Sequence, residues 1–127
     1  MRSLAREAVY KYLFSRLFNP SDEGLFEVLI KDFSSEDKEF ATAIKNAVIT
    51  SEDKYNETLS NLSHSFKLDR IFKSDRCSIL IGMAEYDLFK DKTPKIVIID
   101  EAVKLSAKYS TDNSPDFVNG ILAEYTK

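Results

Sequence analysis

The sequence predicts an all-α protein, and three observations support this fold class. Only three glycines and three prolines occur in 127 residues, fewer than the turns of a β-sheet protein would need. Charged residues make up 31% of the chain, and apolar residues recur between them at the spacing of helices. The hydrophobic fraction of 43% can form one continuous core, and the length is below that at which domains usually divide. We therefore expect one domain, residues 1–127.

The apolar periodicity divides the chain into about seven helices. The first runs from about Ser3 to Phe18 and ends before Pro20, because proline cannot continue a helix. A hydroxyl side chain directly before a proline predicts N-caps at Thr93 and Ser114. The other helices are expected to start at Ser21, at Ser34 or Ser35, at Thr50 or Ser51 and, after a turn over about Lys67 to Lys73, at Ser74.

The net charge of −3 hides an uneven distribution. Between residues 22 and 57, ten acidic residues face four lysines. Basic residues concentrate on either side of this stretch, and two basic patches on an acidic body can bind a polyanion locally. Ordinary solvated faces are the alternative. The first patch holds Arg2, Arg6, Lys11 and Arg16, and the second holds Lys67, Arg70, Lys73 and Arg76.

The chain shows no pattern of residues that would carry catalysis. His64 is its only histidine and Cys77 its only cysteine, so neither a His/Cys metal cluster nor a supported Cys–His pair can be drawn. We expect His64 to be structural or exposed and Cys77 to be a small buried residue. No cofactor, no metal and no enzymatic activity are expected. The single cysteine and the absence of a membrane-spanning apolar run predict a cytoplasmic protein.

The first helix carries the most informative pattern. Its expected core face centres on Ala5, Val9 and Tyr12, while a second row at i, i+4 spacing leads away from that face. Two guanidinium groups followed by two aromatic rings on a solvent-facing row would suit single-stranded RNA, with cations on phosphates and rings on bases. Cover of the two rings by a second layer of helices is the alternative. The row consists of Arg2, Arg6, Tyr10 and Phe14.

Several segments together resemble the NusB family of transcription antitermination factors. The Ala5-Arg6-Glu7 and Leu13-Phe14 segments fit that family's first helix. The middle of the chain, about residues 22–65, matches in helix pattern alone. The C-terminal half resembles the family across nearly its whole length, in the segments Lys67-Leu68-Asp69-Arg70-Ile71, Asp75-Arg76, Glu85-Tyr86-Asp87-Leu88, Asp100-Glu101-Ala102-Val103-Lys104-Leu105 and Phe117-Val118-Asn119-Gly120-Ile121-Leu122.

The resemblance implies two small helical bundles, residues 1–66 and 67–127. It also implies binding of the boxA-type element of ribosomal RNA leader transcripts together with NusE, a small-subunit ribosomal protein. The complex would act on the RNA polymerase elongation complex, suppress termination and support ribosome biogenesis. The protein itself would be a monomer or weak dimer. A protein-interaction module of the same fold, with weak or lost RNA binding, is the alternative.

The resemblance also implies site residues. By position, Arg2 and Arg6 would remain from an arginine-rich start, and Phe14 would be an aromatic contact. Ser3, Leu4, Ile81 and Asp116 stand where family members often carry a basic residue, so we expect this chain to depend strongly on NusE for RNA affinity. Phe117 would lie on the RNA and partner surface. The other predicted RNA contacts are Tyr10, from the row on the first helix, and Arg70 and Arg76, from the second basic patch. The predicted partner contacts are Phe14, Phe117 and Asn119.

The spacing of the last helix leaves two placements open for Phe117. Val118, Ile121 and Leu122 centre the expected buried face, whereas Phe117 sits about 80° to one side, near the helix start. Its ring would there reach an RNA base or a partner, beside backbone N–H groups that favour phosphate. Packing at the edge of the core is the alternative.

Overall fold

The computed structural model describes residues 2–20, 24–63 and 70–127. These residues form seven α-helices and no strand, which confirms the all-α class. Three predictions lie outside the described residues: the helix start at Ser21, the role of His64 and the division between residues 66 and 67. The division into two bundles therefore stays a prediction. The helices are α1 (Arg2–Phe18), α2 (Gly24–Ile30), α3 (Ser35–Thr50), α4 (Glu52–Leu62), α5 (Lys73–Phe89), α6 (Lys95–Tyr109) and α7 (Ser114–Tyr125).

The helix starts confirm one predicted cap and correct two. Ser34 caps α3, because its side chain accepts a hydrogen bond from the Asp37 backbone N–H at 3.2 Å. The prediction for Thr93 is wrong, since Pro94 occupies the N-cap position of α6. The prediction for Ser114 is also wrong. Ser114 is the first residue of α7, and its hydroxyl instead donates to Asp75 on α5 at 2.9 Å.

Helix α5 is the centre of the molecule. It packs against α1, α3, α4, α6 and α7, and its residues from 77 to 85 are all buried. Gly82 permits a close approach of α7, because a Cβ at this position would lie 2.7 Å from Leu122 Cδ1. Cys77 is buried as predicted, and this burial raises the pKa of its thiol to about 12. The thiol therefore stays protonated and serves as core packing.

Asp87 ties helices from the two halves of the chain together at the far end of α5. Its carboxylate accepts hydrogen bonds from the Tyr55 hydroxyl of α4 at 2.8 Å and from the Tyr125 hydroxyl of α7 at 2.8 Å. Burial and these bonds raise the pKa of both tyrosine hydroxyls. Both hydroxyls therefore stay protonated and donate hydrogen bonds at neutral pH. The Asp87 carboxylate of α5 thus links α4 and α7.

No helix within the described ranges is both long enough and apolar enough to cross a membrane.

Candidate nucleic-acid interface

A surface groove lies between the start of α5 and the turn that joins α6 to α7. It consists of two adjoining cavities of about 370 and 610 Å³, and we call it the α5–α7 groove. Arg70, Ile71, Phe72 and Thr111 line both cavities. The Phe117 cavity is completed by Asp75, Asn113, Ser114 and Phe117, and the Phe14 cavity by Phe14, Lys73, Ser74, Tyr109 and Ser110.

The groove combines cations with exposed aromatic rings. Arg70 and Lys73 are exposed, and Phe72 between them is 57% exposed. Lys73 Nζ lies 5.0 Å from the ring centre of Phe18, which is 64% exposed at the end of α1. Unpaired bases stack on such rings while cations bind the backbone phosphates. The chemistry of the groove therefore fits a single-stranded nucleic acid.

The predicted aromatic row of α1 is divided between the core and the groove. Tyr10 is buried, so its predicted exposure is wrong. Its ring stacks on Tyr109 at 4.8 Å, and its hydroxyl shares a hydrogen bond with Ser74 at 2.7 Å. Phe14 is half-buried rather than opposite the core, and it packs against Tyr10 at 6.0 Å while lining the Phe14 cavity. Helices α5 and α6 thus supply the covering layer for Tyr10 but leave Phe14 at the rim.

Arg6 does not face solvent as predicted; it is buried at 4% exposure. Its Nε and one terminal nitrogen donate to the two carboxylate oxygens of Glu85 on α5, at 2.7 and 2.6 Å. A third nitrogen lies 3.6 Å from Glu101, which also accepts a hydrogen bond from Ser3. A guanidinium paired on both sides inside the protein is unavailable to phosphate. Its positive charge instead compensates a buried carboxylate.

Three further predicted contacts lie outside the α5–α7 groove. Arg2 is exposed at the start of α1, and its guanidinium lies over the Phe40 ring at 4.4 Å. Arg76 is half-buried and lines a small cleft together with Glu52. Asn119 is exposed on α7, but two residues correspond to about 200° around a helix, so it points away from Phe117. The structure therefore brings Phe14, Arg70 and Phe117 into one groove and leaves these three apart.

Phe117 lies between its two predicted geometries. Its ring is half-buried, packs against the core and also lines the Phe117 cavity. The neighbouring wall is held by Ser114, whose oxygen accepts from the Thr111 backbone N–H at 3.2 Å while its hydroxyl bonds Asp75. These bonds attach the α6–α7 turn to the start of α5. The wall of the groove is consequently preorganised by interactions between residues far apart in sequence.

Glu7 and Tyr109 brace the other side of the groove. The Tyr109 hydroxyl donates to Glu7 Oε1 at 2.6 Å, and Lys108 Nζ lies 3.0 Å from the same oxygen. The Tyr109 hydrogen bond is the largest cause that lowers the pKa of Glu7. Ser74 donates to the Tyr109 carbonyl at 3.2 Å, so α1, α5 and α6 meet beneath the Phe14 cavity.

Several groove residues were missed by sequence reasoning, chiefly Phe72, Tyr109 and Asn113. A signal existed for Phe72, because an aromatic residue between Arg70 and Lys73 repeats the cation–aromatic pairing noticed on α1. Tyr109 and Asn113 gave no comparable signal. Their place in the groove depends on how α6 and α7 fold back on α5.

The whole chain, residues 1–127, matches the model of the NusB family. The transcription antitermination protein NusB of Alkaliphilus oremlandii is 33% identical, with 99% of this chain and 93% of that protein covered. The protein of the same name from Natranaerobius thermophilus is also 33% identical, with 95% and 91% covered.

Solved structures agree with the sequence relatives. The NusB of T. maritima is 28% identical and superimposes with a TM-score of 0.90 over 99% of this chain and 90% of that one. A chain in the crystal structure of antitermination factors NusB and NusE in complex with double-stranded RNA shares the fold, with a TM-score of 0.84, 19% identity and coverage of 98% and 95%. The curated relatives carry the name of a transcription factor rather than an enzyme, in agreement with the sequence expectation. The chain belongs to the NusB family.

Proposed function

We propose that this protein binds boxA-type single-stranded RNA in ribosomal leader transcripts, together with NusE, through the α5–α7 groove. In this role it acts in the cytoplasm as an antitermination factor on the RNA polymerase elongation complex. The observation that carries the proposal is the convergence of exposed cations and aromatic rings in one groove, with Arg70 and Lys73 beside Phe72, Phe14 and Phe117. A relative of the same fold has been crystallised with NusE and double-stranded RNA, which supports RNA and NusE as binding partners of this fold. The preference for a single strand rests on the exposed rings of the groove.

The groove favours unpaired RNA over a duplex. Rings at its rim offer stacking surfaces, and base faces are accessible for stacking only when the strand is unpaired. Arg70 and Lys73 would hold phosphates, while Arg2 and Arg76 remain proposed phosphate contacts outside the groove. Arg6 and Tyr10 are not retained as RNA contacts, because both side chains are buried and engaged. Phe14, Phe117 and Asn119 remain the proposed contacts of NusE.

The modest number of cations is the reason that we expect RNA binding to need the partner. If about three of these four cations each neutralise a phosphate, the single-strand salt slope is about −2, so raising the salt from about 50 to 200 mM lowers affinity about 20-fold. NusE bound to the same RNA would raise the effective concentration of this protein at its site. We therefore expect weak binding alone and much tighter binding in the three-component complex.

A protein-interaction module is the second function with an observation in its favour. Ile96 is 75% exposed and Val97 is 41% exposed on α6, outside the α5–α7 groove. Neighbouring exposed apolar side chains are typical of a surface that contacts another protein. Such a module would bind NusE without RNA.

Fluorescence anisotropy with a labelled boxA-type RNA separates the two functions. The RNA is titrated with this protein, with NusE and with both, and a scrambled RNA of equal composition serves as the control. The proposal expects the tightest binding for boxA-type RNA with both proteins present. Formation of the NusE complex without any gain in RNA affinity would overturn it and favour the interaction module.

A further inference from the structure

The aromatic row of α1 continues one helical turn beyond the groove. Tyr10, Phe14 and Phe18 follow one another at i, i+4 spacing, which places them along one side of the helix. Tyr10 stacks on Phe14 with 6.0 Å between ring centres, and Phe14 meets Phe18 edge to face at 5.3 Å. The exposed fraction rises along the row, from 4% for Tyr10 through half-buried Phe14 to 64% for Phe18. The row therefore leaves the core, passes the Phe14 cavity and ends on the surface.

Phe18 lines neither cavity of the groove but adjoins the Phe14 cavity. Phe14 and Lys73 line that cavity, and both contact Phe18, since Lys73 Nζ lies 5.0 Å from the Phe18 ring centre. Lys73 is exposed and has no carboxylate partner among the described residues. The end of α1 thus presents an open aromatic ring beside an ammonium group that can bind an anion.

A nucleotide suits this pair of side chains. Every base has a π face that can stack on an exposed ring, and each nucleotide brings a phosphate that a neighbouring lysine can bind. The pair is also continuous with the α5–α7 groove, where exposed Arg70 and Phe72 repeat the combination of a cation and a ring. A strand that occupies the Phe14 cavity can therefore continue onto Phe18 without a break.

We infer, resting on the RNA binding proposed above, that Phe18 and Lys73 hold one further unpaired nucleotide of the same RNA strand, next to the segment in the groove. The base stacks on the Phe18 ring, and Lys73 binds the phosphate. Any of the four bases is accepted, because stacking on a ring does not depend on the groups at the base edge. This step lengthens the contacted RNA beyond the boxA-type element and adds affinity without adding sequence preference.

The test removes single bases from the RNA and keeps every phosphate. A boxA-type RNA with a few flanking nucleotides on each side receives one abasic nucleotide at each flanking position in turn. Binding is measured by fluorescence anisotropy with NusE present. We expect one flanking position at which loss of the base weakens binding about tenfold, within the range for a base stacked on an aromatic side chain. Exchange of that base for any other base should have a much smaller effect.

Substitutions at Phe18 assign that flanking base to its ring. Phe18→Leu keeps an apolar side chain but removes the ring, so the abasic nucleotide should weaken its binding no further, whereas Phe18→Tyr should retain the wild-type loss. Leu4→Ala, at a 53% exposed position near the other end of α1, is the matched control and should also retain it. Thermal melting checks that each variant folds, and the abasic series on the wild type tests the inference without any substitution.

A substitution at Lys73 tests the phosphate contact. Lys73→Ala should make the salt slope for the flanked RNA shallower by about 0.7, as for one phosphate that is no longer neutralised. An unchanged slope would remove Lys73 from the inferred site.

The outcomes separate this inference from the proposed function. If no flanking base contributes to the affinity of the wild type, or if its contribution persists undiminished in Phe18→Leu, the added step is wrong while RNA binding in the groove stands. If no flanking base contributes and Phe18→Leu weakens binding to NusE without RNA, Phe18 is a protein contact and the inference is overturned. If the wild type with NusE binds no boxA-type RNA at all, the proposed function itself fails.

Discussion

The two ends of α1 use similar side chains for different purposes. Near its start, Arg6 is buried and paired with Glu85, and Arg2 lies over the Phe40 ring. Near its end, Phe14 lines the α5–α7 groove, and Phe18 is exposed beside Lys73. One end therefore holds the fold together, and the other contributes to the candidate binding surface.

This difference shows that a positive charge in a helix pattern does not by itself identify a surface. Arg6 and Glu85 are 79 residues apart, and local periodicity cannot reveal that α5 brings a carboxylate to that point of α1. A buried arginine needs such a partner, because an unpaired charge inside a protein is strongly destabilising. Substitutions among the buried contacts of α1 and among the residues of the α5–α7 groove can test this difference.

The largest expected effect is a loss of stability when the buried Arg6 is replaced. Arg6→Ala would leave the Glu85 carboxyl buried in the core without its partner, and we expect it to lower the free energy of unfolding by about 3 to 5 kcal/mol. Urea denaturation followed by circular dichroism measures this loss. The double variant Arg6→Met with Glu85→Leu should recover most of it, because well-packed apolar residues can replace a buried ion pair. An Arg6→Ala variant as stable as the wild type would contradict the structural role.

Phe117 should show an intermediate effect on stability together with a loss of RNA binding. Because its ring is half-buried, Phe117→Ala should cost more than the about 0.5 kcal/mol of a surface site but less than the about 3 to 5 kcal/mol of a core phenylalanine. Lost stacking should also weaken the complex with RNA and NusE about tenfold. Phe33→Ala, at a half-buried ring outside the groove, is the matched control. Equal RNA binding by these two variants would remove Phe117 from the site.

The fold was more predictable than the site. The helix pattern of α1, α3 and α5 is local, so spacing and turn residues located these elements within a residue or two of their observed starts. The caps at Thr93 and Ser114 were predicted wrongly. Pro94 takes the N-cap position of α6, and Ser114 lies inside α7 with a buried partner on another helix. The site depends on such contacts between distant residues. Phe14, Arg70 and Phe117 could be named from composition and resemblance, but their common groove required the tertiary structure.

Glu7, between the two ends of α1, should have a smaller and pH-dependent effect on stability. The Tyr109 hydrogen bond lowers its pKa below the ordinary 4.5, so the stabilisation by ionised Glu7 is present above that pH and is lost as pH falls through the folded-state value. Glu7→Gln should cost less than about 1 kcal/mol at neutral pH, as for exposed pairs. Denaturation at several pH values should show the gap between variant and wild type closing on acidification. A stability difference between variant and wild type that increases as the pH falls would contradict a lowered pKa of Glu7 in the folded protein.

The most direct test of the α5–α7 groove as the RNA surface is the salt dependence of RNA affinity in Arg70→Ala, measured with NusE present. We expect weaker binding and a slope shallower by about 0.7, because Arg70 would neutralise one phosphate. Melting should be unchanged, because the Arg70 side chain is exposed. Lys104→Ala, which removes an exposed cation from α6 outside the groove, should leave both the affinity and the slope at wild-type values. If Arg70→Ala binds with the wild-type affinity and slope, the groove is not where this protein binds RNA.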